Sequence, residues 1–294
     1  WTGRAMIRDL LGAYWTTAGP VEIGTGREWS LFDWPDRCAH AARAGMWGLG
    51  LWHADLEHLL ERRTLPEIRR IFDDSGLEYL ELEFLNDWFV EPGDPRRVAS
   101  DQQRALLFEA AAELGAHHIK VGNLKRTPAT LDRLTEAFAE LCTDARDRHD
   151  APLTYELMPF DVNAASLDAV LTIVGGADAP NGGIALDTWH LGKMALTPDD
   201  LRAIPARLLA YVELSDGMRA DMPDRTLETT RYRRLPGEGE FDIPGYVRVL
   251  AELGYAEPWG VEVLSDELRA LPIEEMYRRT VETSTAQIDL GAPA

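Results

Sequence analysis

The chain has 294 residues, of which 45% are hydrophobic and 27% are charged, the composition of an ordinary globular protein. Thirty basic residues stand against fifty acidic ones, and the formal net charge of −20 disfavours binding to nucleic acid or to anionic membrane surfaces. No uninterrupted apolar stretch approaches the roughly 20 residues that cross a membrane.

The beginning of the chain and its cysteines indicate a cytoplasmic protein. The first ten residues, WTGRAMIRDL, lack the apolar segment of a signal peptide, and a first residue of Trp rather than Met is consistent with a longer native N-terminus. Cys38 and Cys142 fall in separate helix-like segments, where buried free thiols are expected rather than a disulfide.

Strand-like and helix-like runs alternate eight times along the chain. The strand-like runs, in chain order, are LLGAYWTT, WGLGLWHAD, LEYLELEFL, HHIKVGN, PLTYELMP, GGIALDTWH, LAYVELSDG and PWGVEVLS. The amphipathic runs between them include DRCAHAARAG, LPEIRRIFDDSG, SDQQRALLFEAAAELG and LDRLTEAFAELCTDARD. Several of the helix-like runs close on a glycine, the residue that ends helices in a left-handed conformation: Gly45, Gly76, Gly115 and Gly254.

This alternation predicts a parallel sheet closed into a single (β/α)8 barrel that accounts for residues 1–294 as one domain. An open doubly wound sheet is the alternative, but the first strand leads into TTAGPVEIGTGREWS, which has no GxGxxG phosphate turn. The longest irregular stretch, residues 218–239, follows the seventh strand and is expected on the catalytic face of the barrel. It contains three arginines before the turn sequence LPGEGEFD: Arg231, Arg233 and Arg234.

Four strand-like runs in the second half of the chain end, or nearly end, in the acidic residues Glu156, Asp187, Glu213 and Glu262. Parallel barrel strands place their carboxyl ends around one mouth, so these carboxylates are expected to converge. That much negative charge is tolerable only around a cation, and oxygen ligands suit Mg²⁺ or Mn²⁺. A single acidic residue at a strand end also suits a helix cap or a salt bridge, so the prediction depends on all four together.

Other residues at predicted strand ends are candidates for substrate binding. His190 follows Asp187 by three positions, and His53 has the comparable place after the second strand. Glu83 and Lys120 end the third and fourth strands, and Lys120 could either neutralise a substrate oxygen or pair with Glu83.

Aromatic residues are also frequent at these strand ends, and Trp15 is the leading candidate to face a sugar ring. Trp52, Trp88 and Trp189 have similar places, and core packing beneath the loops is the alternative for all four. His117 and His118 come before the fourth strand, at its opposite end, and are expected to be structural.

These segments resemble the sugar isomerase/epimerase superfamily of xylose-isomerase-like barrels, which includes ketose 3-epimerases, inosose dehydratases, dehydroshikimate dehydratases and endonuclease IV. YELMP, ALDTWH and GVEVLS are similar to its metal-ligand motifs, which implies that Glu156, Asp187 and Glu262 bind a metal. RRLPGEGEFD resembles its substrate loop, whose arginine matches Arg234. The seventh-strand ligand is usually His or Gln, whereas YVELSD offers Glu213, which is either a ligand or a base.

The resemblance implies a metal-dependent isomerase or epimerase of a keto-sugar or keto-polyol. The metal would hold a carbonyl and the adjacent hydroxyl, while Glu156 and Glu262 exchange the proton between them through an enediolate. His190 and Arg234 would orient substrate oxygens. A lyase that expels a substituent from the same enediolate is the alternative, and the sequence leaves the two reactions open.

Two other classes are disfavoured. The DNA-repair members need a His-rich trinuclear zinc site and a basic surface, whereas this chain has seven His and a charge of −20. A non-catalytic sugar-binding protein would not need the complete proton-transfer set. The expected partner is therefore a small carbohydrate or polyol, and a homodimer is expected because barrels of this kind frequently pair.

Overall fold

A computed structural model of the chain describes residues 6, 8–148 and 152–293. Its eight strands are all parallel, are hydrogen-bonded in chain order and close into a barrel through the pairing of the first with the last. The predicted (β/α)8 barrel is confirmed. The strands are β1 (Leu10–Gly12), β2 (Gly48–Trp52), β3 (Tyr79–Leu85), β4 (His118–Val121), β5 (Leu153–Glu156), β6 (Gly182–Asp187), β7 (Leu209–Leu214) and β8 (Trp259–Val261).

Long amphipathic helices surround the barrel and bury their apolar faces against it. The helices of eight or more residues are α2 (Trp34–Ala44), α3 (His53–Leu60), α4 (Leu65–Asp74), α5 (Pro95–Leu114), α6 (Leu131–Arg148), α7 (Leu167–Ala177), α10 (Ile243–Glu252) and α12 (Ile273–Gly291). Shorter ones are α1 (Tyr14–Thr17), α8 (Thr188–Lys193), α9 (Arg225–Arg231), α11 (Asp266–Arg269) and the 3-10 helices Pro198–Ala203 and Ala206–Leu208.

The glycines expected to end helices have the predicted left-handed conformation. Their φ angles are 95° at Gly45, 79° at Gly76, 59° at Gly115 and 93° at Gly254. A residue with a side chain is strained at such angles, so these positions end the helices sharply and turn the chain toward the next strand.

Several strand-like runs end earlier than the sequence pattern suggests. The run LLGAYWTT is a strand only over Leu10–Gly12, and its YWTT portion forms α1. The HAD and TWH portions of two later runs likewise begin α3 and α8. These short turns of helix bend the chain across the barrel mouth, which a pattern of apolar residues cannot distinguish from a continuing strand.

The stretch at 218–239 is also more ordered than expected, because it contains α9. Both cysteines are buried and free. Within the described part of the chain, no helix is long and apolar enough to cross a membrane. The features expected at the N-terminus fall on residues 1–5 and 7, which lie outside the described residues.

Candidate active site

The structure brings the four acidic residues together at the carboxyl end of the barrel. Glu156 and Asp187 end β5 and β6, Glu213 lies in β7, and Glu262 directly follows β8. Asp187 and Glu213 are register partners in neighbouring strands. All four side chains are buried, so their mutual repulsion is not relieved by water.

A glycine makes room for one of these carboxylates. Gly260 is the register partner of Glu213 in β8. A Cβ atom at Gly260 would lie 2.7 Å from Cγ of Glu213 and 2.3 Å from the hydroxyl oxygen of Tyr211. Since carbon atoms do not approach so closely, any other residue at this position would displace Glu213 from the barrel interior.

A cavity of about 760 Å³ opens beside these carboxylates. Glu156 and Glu262 line it, whereas Asp187 and Glu213 do not. The volume falls in the upper part of the range of ~300–1,000 Å³ typical of small-molecule sites. Much of the lining is aromatic or apolar, including Trp15, Trp52, Phe84, Leu124, Met158, Phe160, Trp189 and Leu264.

Lys120 in β4 is fully buried among four carboxylates. Its Nζ atom lies 2.9 and 3.0 Å from the two carboxylate oxygens of Glu213 and 3.0 Å from Oε1 of Glu262. It also lies 3.1 Å from Glu81 and 3.2 Å from Glu83. Of the two expected roles, the structure shows the pairing role, and Lys120 does not line the cavity.

Glu81 is a member of this cluster that the sequence analysis missed. Residues 81 and 83 are two positions apart in β3, so their side chains point to the same side of the strand, the barrel interior. Two acidic residues two positions apart in an apolar strand were the available signal. His118, expected to be structural, is buried with its Nε2 atom 3.5 Å from Oε1 of Glu81.

The arginine that reaches the acidic residues is Arg233 rather than Arg234. Nη1 of Arg233 donates to Oδ2 of Asp187 and, at 3.1 Å, to Oε2 of Glu262. Arg234 is exposed and donates to the carbonyl oxygen of Glu238 at 3.2 Å. Successive side chains of an extended segment point to opposite sides, so a shift of one residue exchanges a buried arginine for an exposed one. Arg234 does not line the cavity, and its predicted contact with a substrate oxygen stays a prediction.

Asp216 shapes the turn that carries Arg233, and the sequence analysis missed it as well. Its Oδ2 atom accepts the backbone N–H groups of Gly237 and Gly239 at 3.0 Å each, and its Oδ1 atom accepts that of Phe241 at 3.1 Å. A Cβ atom at Gly239 would lie 2.2 Å from Oδ1 of Asp216. The glycines of LPGEGEFD are thus needed for the backbone to close around one carboxylate.

Three further predicted residues line the cavity: Trp15, His53 and Glu83. The ring centres of Trp15 and Trp52 are 5.0 Å apart, which gives the cavity an aromatic wall. Burial lowers the pKa of His53 to about 4, so this imidazole is neutral at physiological pH. Trp88 is instead buried in the hydrophobic core and does not line the cavity.

The electrostatics of the site divide its carboxylates into two groups. Burial raises the pKa of Glu156 and Glu213 well above the ordinary value, raises that of Glu83 to about 8 and raises that of Asp187 to about 6. Burial also opposes the charge on Glu262, but the neighbouring Lys120 and Arg233 outweigh it and lower the pKa of Glu262 to about 2. Without a further cation, several of these carboxyl groups therefore hold protons instead of carrying a negative charge.

His190 lies beside the acidic residues and lines the cavity. Its Nδ1 atom is buried and lies 3.4 Å from Oε1 of Glu156, and its Nε2 atom accepts a hydrogen bond from Nη2 of Arg233 at 3.3 Å. Burial, and then the nearby Arg233, lower the pKa of His190 well below the ordinary value. A neutral imidazole can ligate a metal through the nitrogen that carries no proton, here Nε2, once Arg233 moves away from it.

The donor set fits a divalent metal ion. Glu156, Asp187 and His190 place one potential ligand atom each within 4.8 Å of one another, and so do Glu156, Glu213 and Glu262. A divalent cation would offset the excess of carboxylates over the two buried cations, Lys120 and Arg233.

The family model described as xylose isomerase-like TIM barrel matches residues 38–286. The chain belongs to this family. Curated relatives of this xylose isomerase-like barrel include the 3-dehydroshikimate dehydratase of Pseudomonas aeruginosa, which is 27% identical over 81% of this chain and 37% of the dehydratase. The 3-dehydroshikimate dehydratase of Pseudomonas putida is 25% identical over 82% of this chain and 38% of its own length. The barrel thus spans little more than a third of these two relatives.

Smaller relatives and solved structures extend the comparison. The inosose isomerase of Bacillus velezensis is 22% identical over 62% of this chain and 66% of its own length. The IOLI protein, solved with a zinc atom, superposes with a TM-score of 0.79 at 18% identity over 96% of this chain and 98% of its own. A D-psicose 3-epimerase solved in the presence of D-fructose has a TM-score of 0.70 at 15% identity. The match covers 97% of this chain and 100% of the epimerase chain. At these identities the structures show the fold alone, whereas the family as a whole comprises isomerases, epimerases and dehydratases.

Proposed function

We propose that this xylose isomerase-like barrel is a divalent-metal-dependent lyase that eliminates an oxygen substituent from a cyclic hydroxy ketone. The observation that carries the proposal is the buried excess of carboxylates beside a largely apolar cavity of about 760 Å³. The carboxylates suit proton abstraction next to a carbonyl, and the volume leaves room for a leaving group beside the reacting ring. Similarity to the two 3-dehydroshikimate dehydratases favours the same reaction class.

The roles of the chain's own residues follow from which of them line the cavity. Glu156 and Glu262 do so, and we assign proton transfer to them. One carboxylate removes the proton from the carbon next to the ketone, the C–O bond at the next carbon breaks, and the other carboxyl group protonates the departing oxygen. The products are an unsaturated ketone and water or an alcohol, without net oxidation or reduction.

A divalent ion, with Mg²⁺ or Mn²⁺ as our candidates, would be held by the acidic residues and would polarise the carbonyl and acidify the adjacent C–H. Arg233, which lies against Asp187 and Glu262, is placed to bind a substrate oxygen. Trp15, Trp52 and His53 would form the wall against the ring. A carbohydrate or polyol substrate, a homodimer and a cytoplasmic location remain predictions.

An isomerase or epimerase is the second candidate. Two carboxylates on one cavity are equally suited to remove a proton and return it at another position, without expulsion of a group. Similarity to the inosose isomerase of Bacillus velezensis favours this outcome.

One experiment separates the two candidates. The metal-free protein is incubated in D2O with Mn²⁺ or Mg²⁺ and with 3-dehydroshikimate, inososes, keto-sugars and 3-keto-glycosides in turn. Elimination is expected to produce a rise in ultraviolet absorbance and a product lighter by the leaving group. Deuterium incorporation at constant carbon and oxygen content would instead indicate isomerisation or epimerisation. Neither signal with any of these ketones would contradict both candidates.

A further inference from the structure

The buried carboxylates form two overlapping groups that could each hold a cation. Glu156 belongs to both of them. The first group is completed by Asp187 and His190, and the second by Glu213 and Glu262. Because the two groups share a ligand, we expect one metal ion to bind to one group or the other. The charged side chains around the two groups differ.

The second group already holds a cation of the protein itself. The ammonium of Lys120 contacts both carboxylate oxygens of Glu213, at 2.9 and 3.0 Å, and Oε1 of Glu262 at 3.0 Å. Lys120 and Glu213 are each 0% exposed. A divalent ion bound to Glu213 would have to share its oxygens with a buried ammonium, and the two positive charges would repel each other at short range in a medium of low dielectric constant.

The surroundings of Lys120 also hold it in place. Glu81 and Glu83 lie 3.1 and 3.2 Å from its Nζ atom, and both come from β3 inside the barrel. Neither Lys120 nor Glu213 lines the cavity. Since the ammonium is enclosed by carboxylates and is 0% exposed, its departure would leave buried carboxylates without their counter-ion and is unfavourable.

The first group is arranged differently. Nε2 of His190 lies 3.8 Å from Oδ2 of Asp187 and accepts a hydrogen bond from Nη2 of Arg233 at 3.3 Å, so it is the ring nitrogen without a proton. Asp187 is contacted by Arg233, which belongs to the segment between α9 and the LPGEGEFD turn rather than to a barrel strand. Unlike Lys120, Arg233 lines the cavity, so its guanidinium can move into that space.

We propose that Lys120 is the resident cation of Glu213 and keeps this residue out of the metal coordination sphere, so that the metal is held by Glu156, Asp187 and His190. Glu213 then stands where a metal ligand is expected but serves as the counter-ion of a lysine. The inference rests on the proposed metal-dependent function, but it concerns binding of the ion alone.

Calorimetric titration of the EDTA-treated protein with Mn²⁺ tests the proposal without any substrate. The deciding variant is the double substitution Lys120→Met with Glu213→Leu, which removes one basic and one acidic side chain together. Leucine cannot ligate a metal, whereas glutamine could. We expect the Kd for Mn²⁺ to change less than ten-fold. The matched variant Glu156→Leu is expected to weaken Mn²⁺ binding at least 100-fold, and His190→Leu at least ten-fold.

A ten-fold or greater loss of affinity in the folded double variant would overturn the proposal, and so would unchanged affinity in His190→Leu. If the double variant does not fold, a crystal structure of the wild-type protein soaked with Mn²⁺ decides. Anomalous density is expected beside Glu156, Asp187 and His190, with Glu213 still paired to Lys120. A metal–oxygen distance to Glu213 near ~2.1 Å would contradict the assignment.

Failure of this inference can be told apart from failure of the proposed function. A protein that binds Mn²⁺ as described but converts no ketone would contradict the function and leave the ligand assignment supported. A protein that converts a ketone with Glu213 in the coordination sphere would do the reverse. Absence of Mn²⁺ binding by the wild-type protein would overturn both.

Discussion

Two buried centres of charge in this barrel differ in their balance. Between α2 and α3, Arg37 and Asp55 form one pair, with Nη1 and Oδ2 2.5 Å apart and both side chains almost wholly buried. Asp55 also accepts the backbone N–H of Ser30 at 2.8 Å. At the barrel mouth, Lys120 alone is shared by four carboxylates, and Arg233 by two.

The difference indicates what each centre does. One arginine with one aspartate is neutral and needs no further ion, so the first centre contributes to stability alone. The second retains excess negative charge after both of its cations are counted, which costs stability unless a metal binds or protons are taken up. Perturbed carboxyl groups of this kind, beside a cavity, are typical of catalytic sites.

The largest expected effect is on turnover at the unbalanced centre. Glu156→Gln removes a proton-transfer group and is expected to lower kcat at least ~10³-fold, or about 4 kcal/mol, with the Tm unchanged or raised because a like charge is lost. The matched control is Asp161→Asn, since Asp161 is a buried carboxylate that accepts a hydrogen bond from the hydroxyl of Tyr155 at 2.9 Å and does not line the cavity. Comparable losses of kcat in both variants would show that loss of any buried carboxylate, and not of proton transfer in particular, lowers turnover.

The balanced centre should respond in stability instead. Asp55→Asn leaves the guanidinium of Arg37 buried without a counter-ion, and we expect the free energy of unfolding to fall by about 3–5 kcal/mol. Asp33→Asn is the control, because Asp33 pairs with Arg63 at 2.7 Å at an exposed position, where such pairs contribute roughly 0–1 kcal/mol. Urea denaturation measures both, and similar values would show that burial is not what strengthens the first pair.

Arg233 and the metal are expected to compete for the same oxygens. Arg233→Met removes a guanidinium from Asp187 and Glu262 and should tighten Mn²⁺ binding about ten-fold in the absence of substrate, equivalent to about 1.4 kcal/mol. Arg234→Met should leave the affinity unaltered, because that side chain is exposed. Weaker Mn²⁺ binding in Arg233→Met would mean that the arginine supports the metal site rather than occupying it.

The smallest expected effect is on the pH dependence of stability. The pKa of Glu83 is raised to about 8 in the folded protein, so between pH 6.5 and 8 the folded state holds a proton that the unfolded state has already released. The stabilisation is complete below the unfolded pKa and is lost as pH rises through the folded one. We expect the metal-free protein to lose on the order of 1 kcal/mol over this range.

Glu83→Gln should reduce that slope, as measured by Tm across the pH series, and the remainder is expected from Glu156 and Glu213, whose pKa values are also raised. Near pH 6.5 the buried histidines with lowered pKa values, His53 and His118 at about 4 each, oppose this slope because the unfolded state still protonates them, and above about pH 7.5 they are neutral in both states. A slope that is the same in the wild-type protein and in Glu83→Gln would contradict the interpretation.

The barrel and the convergence of its acidic residues could be predicted from the order of residues along the chain. Eight alternations of strand and helix leave few folds, and a parallel barrel places every strand's carboxyl end at one mouth, so Glu156, Asp187, Glu213 and Glu262 could be expected to meet. The glycines that end helices could also be predicted, because only glycine takes a positive φ without strain.

The pairing of the charges, by contrast, could not be predicted from the order of residues. Lys120 meets Glu213 across the barrel from 93 positions away, and no local pattern shows which carboxylates an ammonium will reach. The choice of Arg233 over Arg234 depends on which side of one loop faces inward, and Asp216 settles that by holding the turn. Local patterns determine the backbone, whereas charge pairing depends on distances of a few ångströms between chain segments that only packing brings together.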